Sequence, residues 1–359
     1  MLGASAVGVC GAMATVAMRH YAAAEPSTGT GTTADPRIQG PFLILSTPFT
    51  ASGAVDYDAL AREARYVDRC GCPGMIWPQS GDSIDLLTTE EKLRGMEVLA
   101  EVVRDLRTTA LCLGVQGRDT DEMLVFAEHA EKLAPAAMIS RPPDSGKTQE
   151  DMRQYWRALA AVTKRPIIIQ TTGGVAYRGP VPSVELLIEL AEEFANFGYV
   201  KEEAGAVIDR MRALLAARPP IRRVFGARGG FGWLYELRLG AEGLITERAV
   251  YADVLTRIWR LHQTGSDPDA LRDAYSKFLL MINLARTHPG DLRGYQLYLW
   301  KKLGVFQTMV SRNYGPGGSI PSSPICSEHK LTQEEIAEIE FRFEALKPYR
   351  YAGSMDLSG

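Results

Sequence analysis

The chain is poor in the residues that build metal and redox sites. It has five histidines, scattered at 20, 129, 262, 288 and 329, and five cysteines at 10, 70, 72, 112 and 326. No Cys-x-x-Cys pair and no histidine cluster occurs, so the spacing of a zinc site is missing. Cys70 and Cys72 stand too close for an ordinary structural disulfide, and His129 falls in a helical pattern where packing is the plain reading. No Gly-x-Gly-x-x-Gly follows a strand-like run, which removes the usual anchor for a dinucleotide. The 40 basic and 43 acidic residues are interspersed, with a formal charge of −3. Without a basic stripe, nucleic acid is not an expected partner. What the chain does have is apolar residues, 46% of 359, enough to bury one big domain or two modest ones.

The first residues differ from the rest. Residues 1–18 are small and apolar, Ala22-Ala23-Ala24 offers a small-residue cleavage site, and 25–36 is a linker rich in Ser, Thr, Gly and Pro. This pattern predicts a signal-like segment over 1–36 and export to the periplasm; a cytoplasmic location is the alternative. The positive stretch that normally opens such a segment is missing. Leu2-Gly3-Ala4-Ser5-Ala6 is similar to the stretch after the arginine pair of twin-arginine signals, so the true start is expected upstream.

From residue 40, short apolar runs alternate with amphipathic stretches. Strands are predicted at 42–45, 74–77, 110–115, 136–140, 166–170, 198–201, 222–225 and 243–246. Helical patterns fall near 56–70, 88–106, 119–133, 148–163, 183–195, 204–217, 229–239 and 247–264. Asp56, Thr88, Thr120, Thr148 and Ser183 are the expected N-caps, with a capping box from Thr88 to Glu91. Eight β-then-α units predict an α/β fold, a (β/α)8 TIM barrel over 37–264. A doubly wound open sheet is the alternative. Beyond 264 the alternation stops, and 265–359 is predicted as a C-terminal helical appendage, with helices at 271–285, 294–303 and 333–346 and an irregular segment over 305–330.

In a barrel, function gathers where the strands end at their C-termini. That rule selects Thr47, the run Gln79-Ser80-Gly81-Asp82, Gln170, Lys201, Arg228 with Gly229, and Thr246. Lys201 is the most informative of these. It closes the run Gly198-Tyr199-Val200, a short core strand where lysine is rarely placed. Burial of a lysine disfavours its ammonium and frees the amine as a nucleophile toward carbonyl carbon. The plainer alternative is an ion pair with Glu202 or Glu203.

At these residues the chain resembles the dihydrodipicolinate synthase / N-acetylneuraminate lyase family, over roughly 40 to 345. Thr47-Pro48-Phe49 with Gly53, Val55-Asp56 and Leu60 is similar to the family's opening. Gly74 to Asp82 is similar to its second-strand loop, Val200-Lys201-Glu202 to its Schiff-base strand, and Gly240 to Ile245 to its eighth-strand entry. The resemblance implies a lyase of the class I aldolase type that needs no metal or organic cofactor. Lys201 would form an imine with pyruvate or another 2-oxo acid. Gln79 and the hydroxyl and N–H of Ser80 would hold the substrate carboxylate, together with Gly81, Asp82 and Thr47, and the Ile245 carbonyl would lie near it. A homo-oligomer, dimer or tetramer, is implied as well.

The departures are informative. The family closes strand five with a proton-shuttling tyrosine; here the place falls to Gln170, which is no acid or base near neutrality. The tyrosine that the synthases lend across a dimer falls in Arg141-Pro142-Pro143-Asp144 and is absent, and Asp82 stands one methylene short of the usual acid. An insertion in the loop 171–179 brings Arg178 to the place of a carboxylate-binding arginine and offers Tyr177 as a substitute phenol. These losses point away from lysine-pathway synthesis and toward an aldolase, hydratase-aldolase or dehydratase acting on another 2-oxo acid. Two other classes stay open: a non-catalytic 2-oxo-acid-binding protein, and a phosphate- or metal-dependent barrel using the turn Gly226-Ala227-Arg228-Gly229-Gly230.

Overall fold

The computed structural model describes residues 34–287 and 292–351. The signal-like segment, apart from 34–36, lies outside them. Eight strands form a closed parallel barrel in sequence order: β1 Gly40–Ile44, β2 Gly74–Trp77, β3 Ala110–Gly114, β4 Ala137–Ser140, β5 Ile167–Gln170, β6 Tyr199–Lys201, β7 Arg223–Gly226 and β8 Gly243–Thr246. The closing pair is β1 with β8, Phe42 opposite Ile245. Helices α1 Tyr57–Arg69, α2 Thr89–Val102, α3 Thr120–Leu133, α4 Gln149–Val162, α5 Val184–Glu193, α6 Val207–Ala216, α7 Trp233–Leu239 and α8 Ala252–Thr264 follow the strands one by one. The predicted barrel is therefore the observed one.

Alternation along each strand explains why its residues read as continuous apolar runs: one face fills the barrel, the other packs on helices. Phe42, Ile44, Ile76, Ile139, Ile168, Tyr199, Phe225 and Ile245 fill the interior. Leu43, Met75, Leu113, Met138, Ile169, Val200 and Leu244 join the outer layer between strands and helices. This parity has a direct consequence. Tyr199 points inward, so Lys201, two residues on, does too; Ile168 does the same for Gln170. A plug of apolar side chains thus lies beneath a polar layer at the C-terminal ends of the strands.

Asp56, Thr88, Thr148 and Ser183 cap α1, α2, α4 and α5 as predicted, with capping boxes at Thr88 and Thr148. One cap differs. Asp119, not Thr120, caps α3, its carboxylate accepting from the Glu122 N–H at 3.0 Å. Asp and Thr both serve as caps, and the sequence offers them side by side.

The C-terminal region holds α9 Pro268–Ile282, α10 Leu284–Thr287, α11 Leu292–Lys302 and α12 Gln333–Glu344. The segment predicted to be irregular contains a hairpin, β9 Val310–Asn313 paired antiparallel with β10 Ile325–Glu328. All of β10 is exposed, so it carries no apolar alternation to betray it. The hairpin and α11 grip the barrel mouth. The Arg312 guanidinium donates to Glu91 at 2.6 Å and to the Gly53 carbonyl at 3.0 Å, and the Trp300 indole N–H donates to the Ser46 hydroxyl at 3.2 Å. The region therefore clamps the loops after β1 and β2. Among the described residues no helix is long and apolar enough to cross a membrane.

Candidate active site

Lys201 stands at the mouth, 4% exposed, and its Nζ donates to Gln170 Oε1 at 3.0 Å. The two residues are register partners on β6 and β5. Glu203 Oε1 stands 3.4 Å from the same nitrogen. Glu202 does not: its buried carboxylate turns away to Arg210 at 3.1 Å and to the Thr171 hydroxyl at 2.9 Å. Of the two expected partners of the lysine, alternation puts only Glu203 on its face. Thr172 closes a ring. It accepts from Gln170 Nε2 at 3.1 Å, and its hydroxyl donates to Glu203 in a short hydrogen bond. Lys201, Gln170, Thr172 and Glu203 are thus four neighbours in one hydrogen-bonded circuit.

This circuit borders a cavity of about 520 Å³, lined also by Ser80, Gly81, Gly173, Ile245 and Glu247, and by Arg228, Arg248 and Arg286. A second cavity of equal volume lies at the opposite end, among residues such as Pro73, Ala110 and Pro135 that precede the strands or open them. It faces none of the residues that the strand-end rule selects.

Ser80 and Gly81 line the cavity as expected, and so does Ile245. Arg141 Nη1 donates to Ser80 Oγ at 2.6 Å while its Nη2 pairs with Asp85 at 2.5 Å. Because Ser80 Oγ accepts from the arginine, its own hydrogen remains for a ligand. The Ser80 N–H is already used, donating to Gln79 Oε1 at 2.7 Å. Gln79 is fully buried and also accepts from Gln116 at 2.8 Å. It shapes the loop from beneath and does not line the cavity, which corrects its expected role and that of the Ser80 N–H.

Thr47 and Asp82 are likewise beneath the surface of the cavity. Asp82 accepts from the Thr47 N–H at 3.0 Å and from its hydroxyl in a short bond, and Arg293 of α11 donates to it at 2.7 Å. The indole N–H of Trp77 donates to Thr47 Oγ1 at 3.0 Å, so the hydroxyl's one hydrogen goes to Asp82 and it accepts from the indole. These two residues tie the β1 and β2 loops to α11 and do not face a ligand.

Tyr177 and Arg178 are not brought to the cavity. The Tyr177 hydroxyl donates to the Pro180 carbonyl at 2.5 Å, and burial raises its pKa above the ordinary phenol value. Arg178 is exposed and donates to the carbonyls of Val175 and Tyr177 at 2.7 and 2.8 Å. The inserted loop folds on itself, satisfying its own backbone, so sequence position alone misplaces both side chains.

Several residues of the mouth were not expected. Glu203 entered only as an ion-pair partner. Arg141 and Arg248 follow β4 and β8, where the strand-end rule applies. Arg286 comes from α10, with no signal in the sequence. Arg248 is 4% exposed and sits 3.3 Å from Glu247, and Arg286 stacks on the Phe231 ring at 3.8 Å. Behind β7, burial pushes the Glu236 carboxyl up to about 7, against the pull of Arg228. Among the described residues no group of three or more His, Cys, Asp or Glu side chains is placed to hold a metal.

Fold and site together define a (β/α)8 barrel protein with a buried, hydrogen-bonded lysine at its C-terminal mouth. Residues 37–289 match the dihydrodipicolinate synthetase family. The chain belongs to that family, as a divergent member of its class I aldolase type. It is 25% identical over 305 residues to the 4-hydroxy-tetrahydrodipicolinate synthase of Chlorobium chlorochromatii, covering 84% of this chain and 96% of that one. With the Chlorobaculum parvum synthase it is 30% identical over 218 residues, covering 59% of this chain and 70% of that one. The solved 4-hydroxy-tetrahydrodipicolinate synthase of Methylacidiphilum fumariolicum shares the fold, with a TM-score of 0.70 at 19% identity over 87% of this chain and 97% of that chain.

Proposed function

We propose that this protein is a Schiff-base lyase acting on a 2-oxo acid, with Lys201 forming the imine. The observation that supports it most is the Lys201 amine, buried at the barrel mouth, bordering a cavity and flanked by a carboxylate and an amide. A nucleophilic amine must shed a proton, and Glu203 is the acceptor within reach. The amine nitrogen attacks C2 of the substrate and passes one of its two hydrogens to the carbonyl oxygen, giving a neutral carbinolamine while Glu203 stays protonated. Glu203 then returns a proton to that hydroxyl, water leaves, and the C2–N double bond forms. The iminium draws electrons from C3 and becomes an enamine: the Glu203 carboxylate takes the C3 proton, or takes the proton of a C4 hydroxyl as the C3–C4 bond breaks and C4 leaves as a carbonyl.

In this mechanism Gln170 orients the amine but moves no proton. Glu203, joined to it through Thr172, takes over the exchange that a phenol at position 170 would have performed. Ser80 Oγ and Gly81 receive the substrate carboxylate. Export of the protein remains part of the proposal, resting on the composition of residues 1–24.

Borohydride reduction in the presence of pyruvate and other 2-oxo acids, with peptide mass mapping of the product, tests the reading. A reduced adduct on Lys201 together with turnover is expected. An adduct without turnover would make the protein a binding module, and labelling that survives Lys201→Arg would remove the lysine from the chemistry.

A further inference from the structure

We infer that the cavity is built for a 2-oxo acid bearing a second carboxylate, seated against Arg248 with Arg228 and Arg286 beside it. This rests on the Schiff-base reading for the position of the keto carbon. It goes beyond it by naming the substrate class.

Charge is the first observation. Four cationic side chains, Lys201, Arg228, Arg248 and Arg286, line the cavity against two carboxylates, Glu203 and Glu247. Conversion of a lysine ammonium to an iminium keeps its positive charge. A monocarboxylate therefore leaves one positive charge uncovered and a dicarboxylate leaves none. In a concave site partly shielded from water, that difference counts for more than on an open surface.

Arg248 is the second observation. Its side chain is 5% exposed and its Nε has no hydrogen-bond partner. A buried, unsatisfied donor is costly unless something fills it. The Nε and Nη2 edge of a guanidinium matches the two oxygens of a carboxylate. Gly229, at φ +68°, lies against that edge: a Cβ there would stand 3.2 Å from Nη2 and 3.5 Å from Nε. A side chain on Gly229 would crowd that edge, whose Nη2 shares its two hydrogens between Glu247 Oε1, at 3.3 Å, and the ligand.

Placement is the third. Ser80, held by Arg141, belongs to the β2 loop, whereas Arg228, Arg248 and Arg286 follow β7, β8 and α9. Two anion-receiving positions thus come from different strand ends, one for the 2-oxo carboxylate and one for the distal carboxylate. Arg228 is fixed by donating to the Glu203 carbonyl at 2.9 Å, and Arg286 by its stacking on Phe231.

The test compares borohydride trapping by 2-oxopentanoate and 2-oxoglutarate, which share a five-carbon chain and differ in the distal carboxylate. It is run on the full chain and on Arg248→Gln and Arg286→Gln, each checked for folding by circular dichroism. Half-saturation for 2-oxoglutarate is expected about tenfold lower. In Arg248→Gln or Arg286→Gln the two acids should converge. Equal half-saturation in the unmodified protein, or a ratio that both variants leave unchanged, overturns the inference. If no 2-oxo acid adds to Lys201, the Schiff-base reading fails on its own account. Calorimetric titration with glutarate, which has both carboxylates and no keto group, then decides the arginine site. Binding that weakens about tenfold in Arg286→Gln upholds it, and no binding overturns it.

Discussion

Lys201 and Gln170 face each other across adjacent barrel strands, register partners joined by a 3.0 Å hydrogen bond from Nζ to Oε1. The amide has no proton to exchange near neutrality, so its contribution is to aim the nitrogen. Gln170→Leu removes that bond while keeping a side chain of similar size. A hydrogen bond to a charged partner is worth about 1.5–3 kcal/mol. Imine formation is therefore expected to slow by about tenfold to a hundredfold, read as the rate of borohydride-dependent adduct formation. An unchanged rate would show that the amine needs no aiming.

Glu203 carries the proton exchange in the proposed mechanism. Glu203→Gln keeps its shape and its hydrogen bond to Thr172 but loses the basic oxygen. Turnover should fall by about 10²–10⁴-fold, the usual contribution of a positioned acid–base group. The loss should appear in kcat more than in KM, because the side chain acts on the amine and the carbinolamine. A variant with full kcat would leave the carboxylate a mere counter-ion.

Asp82 links the β1 loop, through Thr47, to Arg293 of α11. Its side chain is 3% exposed and that of Arg293 is 29% exposed, so part of the pair is screened. Asp82→Asn should cost about 1–3 kcal/mol in stability, below the cost of breaking a fully buried pair. Denaturant melts measure it, and limited proteolysis should show cleavage first in the β2 loop. Loss of substrate binding with no change in the melt would instead mean that Asp82 touches the ligand.

Glu236 gives the fold a pH dependence. Its carboxyl is raised from 4.5 to about 7, mainly by burial. A raised pKa means that the folded state favours the protonated form. That stabilisation is complete below the unfolded value of 4.5 and is lost as pH rises through about 7. Glu236→Gln is permanently neutral and should escape the loss. It is expected to be more stable than the unmodified chain at pH 8, by on the order of 1–3 kcal/mol, with no advantage at pH 4. Chemical denaturation at the two pH values reads this directly, and parallel curves for the two proteins would refute it.

The barrel was legible because its strands and helices are local, strongly patterned and capped by residues with one plain use. Thr88 and Thr148 announce their helices through the hydrogen bonds that they make three residues on. The hairpin of β9 and β10 was not legible. Its second strand is wholly exposed and its partner twelve residues upstream, so no apolar period marks it. Tyr177 and Arg178 show the other failure. Their numbers in the chain suggested the mouth, but the inserted loop satisfies its own carbonyls and turns both away from the cavity.

By itself the sequence determined the alternation of strands and helices, and with it the parity that turns Lys201, Gln170 and Ile245 inward at the strand ends. Period and capping are properties of neighbours along the chain, and the chain states them openly. The same parity puts Glu203 rather than Glu202 on the face of the lysine. Only the tertiary structure decided that Gln79 and Asp82 support the site from beneath, and that Arg248 and Arg286 complete its wall. Those facts are distances between segments far apart in the chain. They are set by closure of the barrel and by the packing of the C-terminal helices over its mouth, and no local pattern encodes them.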